Sequence, residues 1–180
     1  MRDNTFNAHL RETLVRLGPV FLGVKPGELL NIKEGKSLDS LKINIKGFPN
    51  IRFIEVKKFT QLGRVQLFFY NQELMDKTLQ QIETLSFLKE MGYPQVFKVE
   101  NYISEVAKRL TYGQFPHEIG VFLGYPLKDV LGYMGIIPMQ LVAIKGWRYY
   151  GSCYASYQQY NNFLKAREVT KIFINNFCIL

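Results

Sequence analysis

Between Phe115 and Pro126 the chain reads Phe-Pro-His-Glu-Ile-Gly-Val-Phe-Leu-Gly-Tyr-Pro. Proline fixes φ and removes a backbone donor, whereas glycine opens conformations closed to other residues. Their spacing around His117 and Glu118 marks a place where backbone geometry is set about a polar pair. The apolar run Ile119 to Leu123 is expected to form a short buried strand. Pro126 suits the first turn of a helix through Asp129, Val130 and Tyr133.

The flanking periodicities predict a mixed fold. Phe6, Leu10, Leu14 and Leu17 recur at helical spacing, and Gly18-Pro19 is expected to stop that helix. Glu28 to Ile32 reads as a short strand, and Ser37 as the cap of a helix reaching Ile45. Ile51 to Lys58 alternates as a strand does. Leu62-Gly63 then turns the chain, and Val65 to Tyr70 returns as the second arm of an antiparallel hairpin. Leu74 to Met91 reads as two helices broken near Thr78 or Thr84, and Val96 to Leu110 as another. Leu141 to Tyr149 is expected to be one strand, followed by closing helices over Ser152 to Lys165 and Glu168 to Phe177. These elements place residues 1–180 in a single α+β domain, a mostly antiparallel sheet of about four strands packed with about six helices.

Composition agrees with a sizeable core. A chain of 180 residues buries roughly two thirds of its unfolded surface. With 47% apolar and 14% aromatic residues, intrinsic disorder is excluded. No apolar run reaches the roughly 18 to 20 residues needed to cross a bilayer, so no membrane partner is expected. The N-terminal Met-Arg-Asp-Asn-Thr-Phe-Asn lacks the apolar segment of a secretory signal. Cys153 and Cys178 make neither a metal-type pair nor a disulfide framework, and are expected as reduced thiols in a cytoplasmic protein.

The net charge of +8 is uneven. Between Lys33 and Lys58, seven bases stand against Glu34, Asp39 and Glu55; between Lys145 and Lys171, five bases stand against Glu168. Two basic ends around a near-neutral centre can form one electropositive face for nucleic acid, although solvated lysine is the commoner meaning of such runs.

The run Phe115 to Tyr133, Phe-Pro-His-Glu-Ile-Gly-Val-Phe-Leu-Gly-Tyr-Pro-Leu-Lys-Asp-Val-Leu-Gly-Tyr, resembles the hallmark of DUF3793, an uncharacterised bacterial family marked by a Pro-His-Glu motif. Pro19 to Leu30, containing Gly-Val-Lys-Pro-Gly-Glu-Leu-Leu, is similar to that family's N-terminal loop. Lys145-Gly146-Trp147-Arg148-Tyr149-Tyr150-Gly151 resembles the strand before its last helices. The resemblance covers most of the chain and implies a short cytoplasmic protein of anaerobic Firmicutes, with no activity attached. The chain departs from the family's pattern at Arg16-Leu17, where relatives often carry His-Cys, and at Lys165-Ala166, where they carry Lys-Cys. Metal or redox chemistry resting on those thiols would be lost here.

His117 and Glu118 are the candidate catalytic residues. A neutral imidazole can act as a general base near pH 7, with a carboxylate orienting it. The two are too few for a structural zinc site, which takes about four ligands, and no metal is expected. Adjacent residues on a strand point to opposite faces, so the pair converges only on a turn or at a helix start. Pro116, Gly120, Gly124, Tyr125 and Lys25 are the candidate ligand contacts, with the cofactor, if any, undefined. The structural alternative has His117 donating to a backbone carbonyl, Glu118 capping a helix or pairing with a base such as Lys128, and the glycines permitting close packing. Lys25 in Gly-Val-Lys-Pro-Gly can touch an anion, but the spacing is not that of a phosphate-cradling loop. Tyr150, Tyr154 and Tyr157 with Arg148 read as a half-buried helical face or a stacking platform. Cys153 is reactive only beside a cation, and His9 is expected at the surface.

Three classes of function follow. The preferred one is a small cytoplasmic accessory protein that binds a ligand or protein partner at the Pro-His-Glu loop. The second is an enzyme using His117 as acid or base with Glu118 assisting. The third is a nucleic-acid-binding module using the basic segments 33–58 and 145–171.

Overall fold

The computed structural model describes residues 2–112 and 114–177, with side chains placed from residue 8 to 176 apart from 37 and 113. The expected Ser37 cap, the Phe6 side chain and Cys178 lie outside what is described. Helix α1 (Arg2–Phe21) opens the chain, followed by β1 (Gly27–Lys33) and α2 (Lys36–Ile45). β2 (Ile51–Phe59) and β3 (Arg64–Asn71) form the expected hairpin. α3 (Gln72–Leu79), α4 (Ile82–Glu90) and α5 (Val99–Thr111) follow, then the short α6 (Ile119–Phe122) and α7 (Leu127–Tyr133). β4 (Leu141–Lys145), β5 (Trp147–Tyr150) and the long α8 (Tyr154–Phe177) complete it.

The α+β class is as the sequence predicts, with the strands divided between a three-stranded antiparallel sheet, ordered β1-β3-β2, and the separate β4-β5 ribbon. The central strand β3 explains the layering. Val65, Leu67 and Phe69 point to one side with Leu10, Leu17 and Val20 of α1 and Leu38, Leu41 and Ile45 of α2. Phe68 points to the other, into a cluster with Met75, Leu79, Leu88, Ile103, Val106, Val121 and Phe122 from α3 to α6. Strand alternation thus feeds two cores from one sheet. Phe68 and Phe69 are fully buried, each contributing about 1.5–3 kcal/mol through removal from water.

Four sequence expectations are corrected. Helix α1 does not stop at Gly18-Pro19 but continues to Phe21. A proline close to a helix C-terminus frees only one carbonyl, and this end closes through Leu22 N–H to Gly18 and Val24 and Lys25 N–H to Pro19. Gly18 meanwhile lets Thr170 of α8 approach the α1 backbone. Leu141 to Tyr149 is two strands, because Gly146 adopts φ +72° and reverses the chain. The two closing helices are one, α8, which runs antiparallel along α1. Ile119 to Leu123 is helical, its first turn closed by Ile119 N–H to Pro116 and Gly120 N–H to His117. A five-residue apolar run has no periodicity long enough to separate strand from buried helix. The break after Leu74 falls at Gln80-Gln81, close to the expected Thr78.

Candidate functional site

Pro116 is buried at the start of a turn that becomes α6. On a helical turn, neighbours diverge by about 100° rather than 180°, and here they part company. Glu118 turns inward and is 3% exposed. Its Oε1 accepts from Arg109 Nη1 of α5 at 3.0 Å and from Tyr93 Oη at 3.3 Å. Arg109 is itself held by Glu105 at 2.8 Å and lies 4.3 Å over the Tyr93 ring. Burial, reinforced by the Glu118 charge, pushes the Tyr93 hydroxyl far up from its ordinary range, so it stays a donor. Glu118 therefore joins α5, the Tyr93 turn and the motif, while the expected partner Lys128 pairs with Asp129 instead.

His117 points the other way. Its ring is exposed, lies edge-on to Tyr133 at 5.0 Å and 6.0 Å from Phe115, and makes no hydrogen bond to another described residue. It stands at the rim of a pocket of about 350 Å³. Ile119, Gly120 and Leu123 of the α6 turn form one wall; Val130 and Tyr133 of α7 form another; Tyr125, Trp147 and Arg148 close it. The lining is mainly apolar and aromatic with a few polar groups, the usual make-up of a small-molecule site. The Arg148 guanidinium sits 5.5 Å over the Tyr133 ring, at the same rim as His117.

The floor is the Tyr125-Trp147 stack, with centroids 4.5 Å apart and planes 15° from parallel. Trp147 is held there by Asp129 of α7, which accepts from its Nε1 at 2.8 Å. Asp129 also accepts from the Tyr150 amide at 2.9 Å, Ser156 Oγ at 2.6 Å and Lys128 Nζ at 2.5 Å. Lys128 donates in turn to the Tyr150 carbonyl. One buried carboxylate thus fastens α7, β5 and α8 around the pocket. Nothing in the local pattern of Leu-Lys-Asp-Val marks that role, since three of its four partners lie 18 to 27 positions away.

The other sequence candidates sit as follows. Gly120 lines the pocket, where a Cβ would press on Val130 and Tyr125. Gly124 adopts φ +76° against Pro26. Lys25 is buried behind Tyr125, its Nζ 5.7 Å from that ring and 2.5 Å from Glu28, so the anion it touches belongs to its own chain. Burial pulls the Lys25 pKa down, opposed by Glu28. Tyr150, Tyr154 and Tyr157 do not share a helical face: Tyr150 is buried in β5, Tyr154 is exposed at the start of α8, and Tyr157 packs edge-on to Tyr149. Cys153 is half-buried and His9 exposed. In segment 33–58, Lys42 and Lys58 both pair with Glu55. In segment 145–171, Arg148 faces the aromatic pocket while Arg167 and Lys171 face a cleft between α1 and α8. Among the described residues no group of three or more histidine, cysteine or acidic side chains is placed to hold a metal, and no helix is long and apolar enough to cross a membrane.

Fold and site define an α+β domain with an aromatic pocket opening beside a Pro-His-Glu turn. The chain belongs to the DUF3793 family, described as proteins of unknown function, whose family model matches residues 14–178. No curated protein and no solved structure matches it.

Proposed function

We propose that this domain is a small binding protein of the cytoplasm whose aromatic pocket takes a flat organic molecule carrying an anionic group. The observation that carries this reading is the disposition of the pocket itself: rings on the floor and walls, with a guanidinium and an imidazole that bonds no other described residue together at the mouth. Apolar and aromatic surfaces favour a planar body by burial and stacking. Arg148 and His117 supply N–H donors for a carboxylate or phosphate, with the guanidinium fork suited to two oxygens at once.

Glu118 favours binding over catalysis. Its carboxylate is bound to Arg109 and Tyr93, leaving His117 without the carboxylate that would orient it as a base. An enzyme built on this pocket would have to use His117 without Glu118.

The single tryptophan of the chain lines the pocket, which makes the test direct. Titrating indole-3-carboxylate, nicotinate and 4-hydroxybenzoate while following Trp147 emission is expected to give a saturable change with at least one of them. Arg148→Gln is expected to weaken that binding about ten- to a hundredfold, the cost of one charge-assisted hydrogen bond. Unchanged emission with every planar anion, or equal affinity in the Arg148 variant, would refute the proposal.

A further inference from the structure

A second concavity of about 530 Å³ lies between α1 and α8, remote in sequence from the Pro-His-Glu turn. Four cationic side chains line it, Arg11 and Arg16 from α1 and Arg167 and Lys171 from α8, against two acids, Glu12 and Glu168. Val15, Leu164 and Ile174 supply an apolar wall. Beneath it lies Glu28, a buried carboxylate already joined to Lys25 at 2.5 Å. Arg16 and Arg167 approach Glu28 only to 3.7 and 3.9 Å, beyond hydrogen-bond reach. Their forks keep donors to spare. Nε of Arg167 is shielded from solvent and has no hydrogen-bond partner among the described residues, the kind of buried donor that folded proteins rarely leave unmet. Among the described residues, Arg11 and Lys171 have no ion pair, Arg11 donating only to Asn175 Oδ1 at 2.6 Å.

We propose that this cleft binds a small phosphate-bearing molecule, with its phosphate between Arg16 and Arg167 and its body along the apolar wall. A phosphate has enough oxygens for several donors arriving from two helices, whereas a carboxylate has two. The net positive lining attracts the dianion, and the guanidinium ends of Arg16 and Arg167, too far from Glu28 to bond it, have donors to give.

Inorganic pyrophosphate is the probe. Calorimetric titration into the full chain is expected to show binding that weakens as salt rises from about 20 to 150 mM, since ions screen exposed charge. Arg167→Gln is expected to lower affinity about ten- to a hundredfold. Because Arg167 also neighbours Glu28, Lys171→Gln at the exposed end serves as a second variant; it leaves the thermal transition unmoved and lowers affinity several-fold. Absence of binding at low salt, or affinity unchanged in both variants, overturns the proposal. So does a mixed oligonucleotide that binds much more tightly than pyrophosphate and loses affinity in the same variants, which would assign the cleft to nucleic acid. The Trp147 emission test reads the other pocket, so the two proposals stand or fall separately.

Discussion

Glu118 and Arg109 meet at 3.0 Å, and that bond decides which half of the Pro-His-Glu motif is available to a ligand. With Glu118 facing α5, only His117 is left to face the pocket.

The two residues should therefore respond differently to truncation. Glu118→Ala leaves Arg109 and Tyr93 without their shared acceptor and is expected to cost about 2–4 kcal/mol, the range for breaking a largely buried pair whose partner keeps some solvent. His117→Ala removes an exposed ring and is expected to cost less than about 1 kcal/mol. Urea unfolding of both variants measures the contrast; equal losses would contradict it.

Asp129 is predicted to be the costliest single truncation around the pocket. Asp129→Ala strips the acceptor from Trp147, Ser156 and the Tyr150 amide and the counter-charge from Lys128. The expected loss is about 3–5 kcal/mol, a fall of roughly 8–15 °C in Tm for a chain of this size. Trp147 emission should move to the red as the indole loses its fixed place on the floor. Calorimetry and fluorescence read both effects.

Gly124 and Gly135 form a matched pair that separates backbone strain from packing. Both have positive φ, +76° and +69°. A Cβ at Gly124 would stand 2.6 Å from Pro26 Cδ, whereas at Gly135 it meets nothing within 4 Å. Gly135→Ala is expected to cost about 1–2 kcal/mol from the left-handed backbone alone. Gly124→Ala should add a further 1–3 kcal/mol or so from overpacking against Pro26. Equal costs measured by denaturant would show that the Pro26 contact yields.

Tyr125 predicts how stability falls at high pH. Burial first, and the Glu28 charge second, push its hydroxyl from an ordinary value of 10.0 up to about 12, with Arg167 opposing. Above pH 10 the unfolded chain releases this proton while the folded chain keeps it, so the contribution present below pH 10 is lost progressively toward pH 12. Tyr125→Phe should flatten that part of the stability curve while keeping most of the Trp147 stack. A wild-type and variant curve of identical slope between pH 10 and 11.5, or thereabouts, would contradict this.

The alternation in Val65 to Tyr70 and the helical spacing of Val99, Ile103 and Val106 were decided by the sequence alone, because burial periodicity is a local property. At Pro116 only the backbone restriction was local, because the apolar run after it reads equally as strand or buried helix and packing made it α6. Which side of that turn each polar group would face was beyond local reading: Glu118 finds Arg109 nine positions earlier, and Asp129 finds Ser156 27 positions later. Trp147 and Arg148 entered the site only when Gly146 split a presumed strand and Asp129 anchored the ribbon. Lys25 looked like a free anion contact until the fold buried it against Glu28. Periodicity states which side chains leave water, but a buried charge takes whichever partner the fold brings within about 3 Å, and that is settled only by tertiary packing.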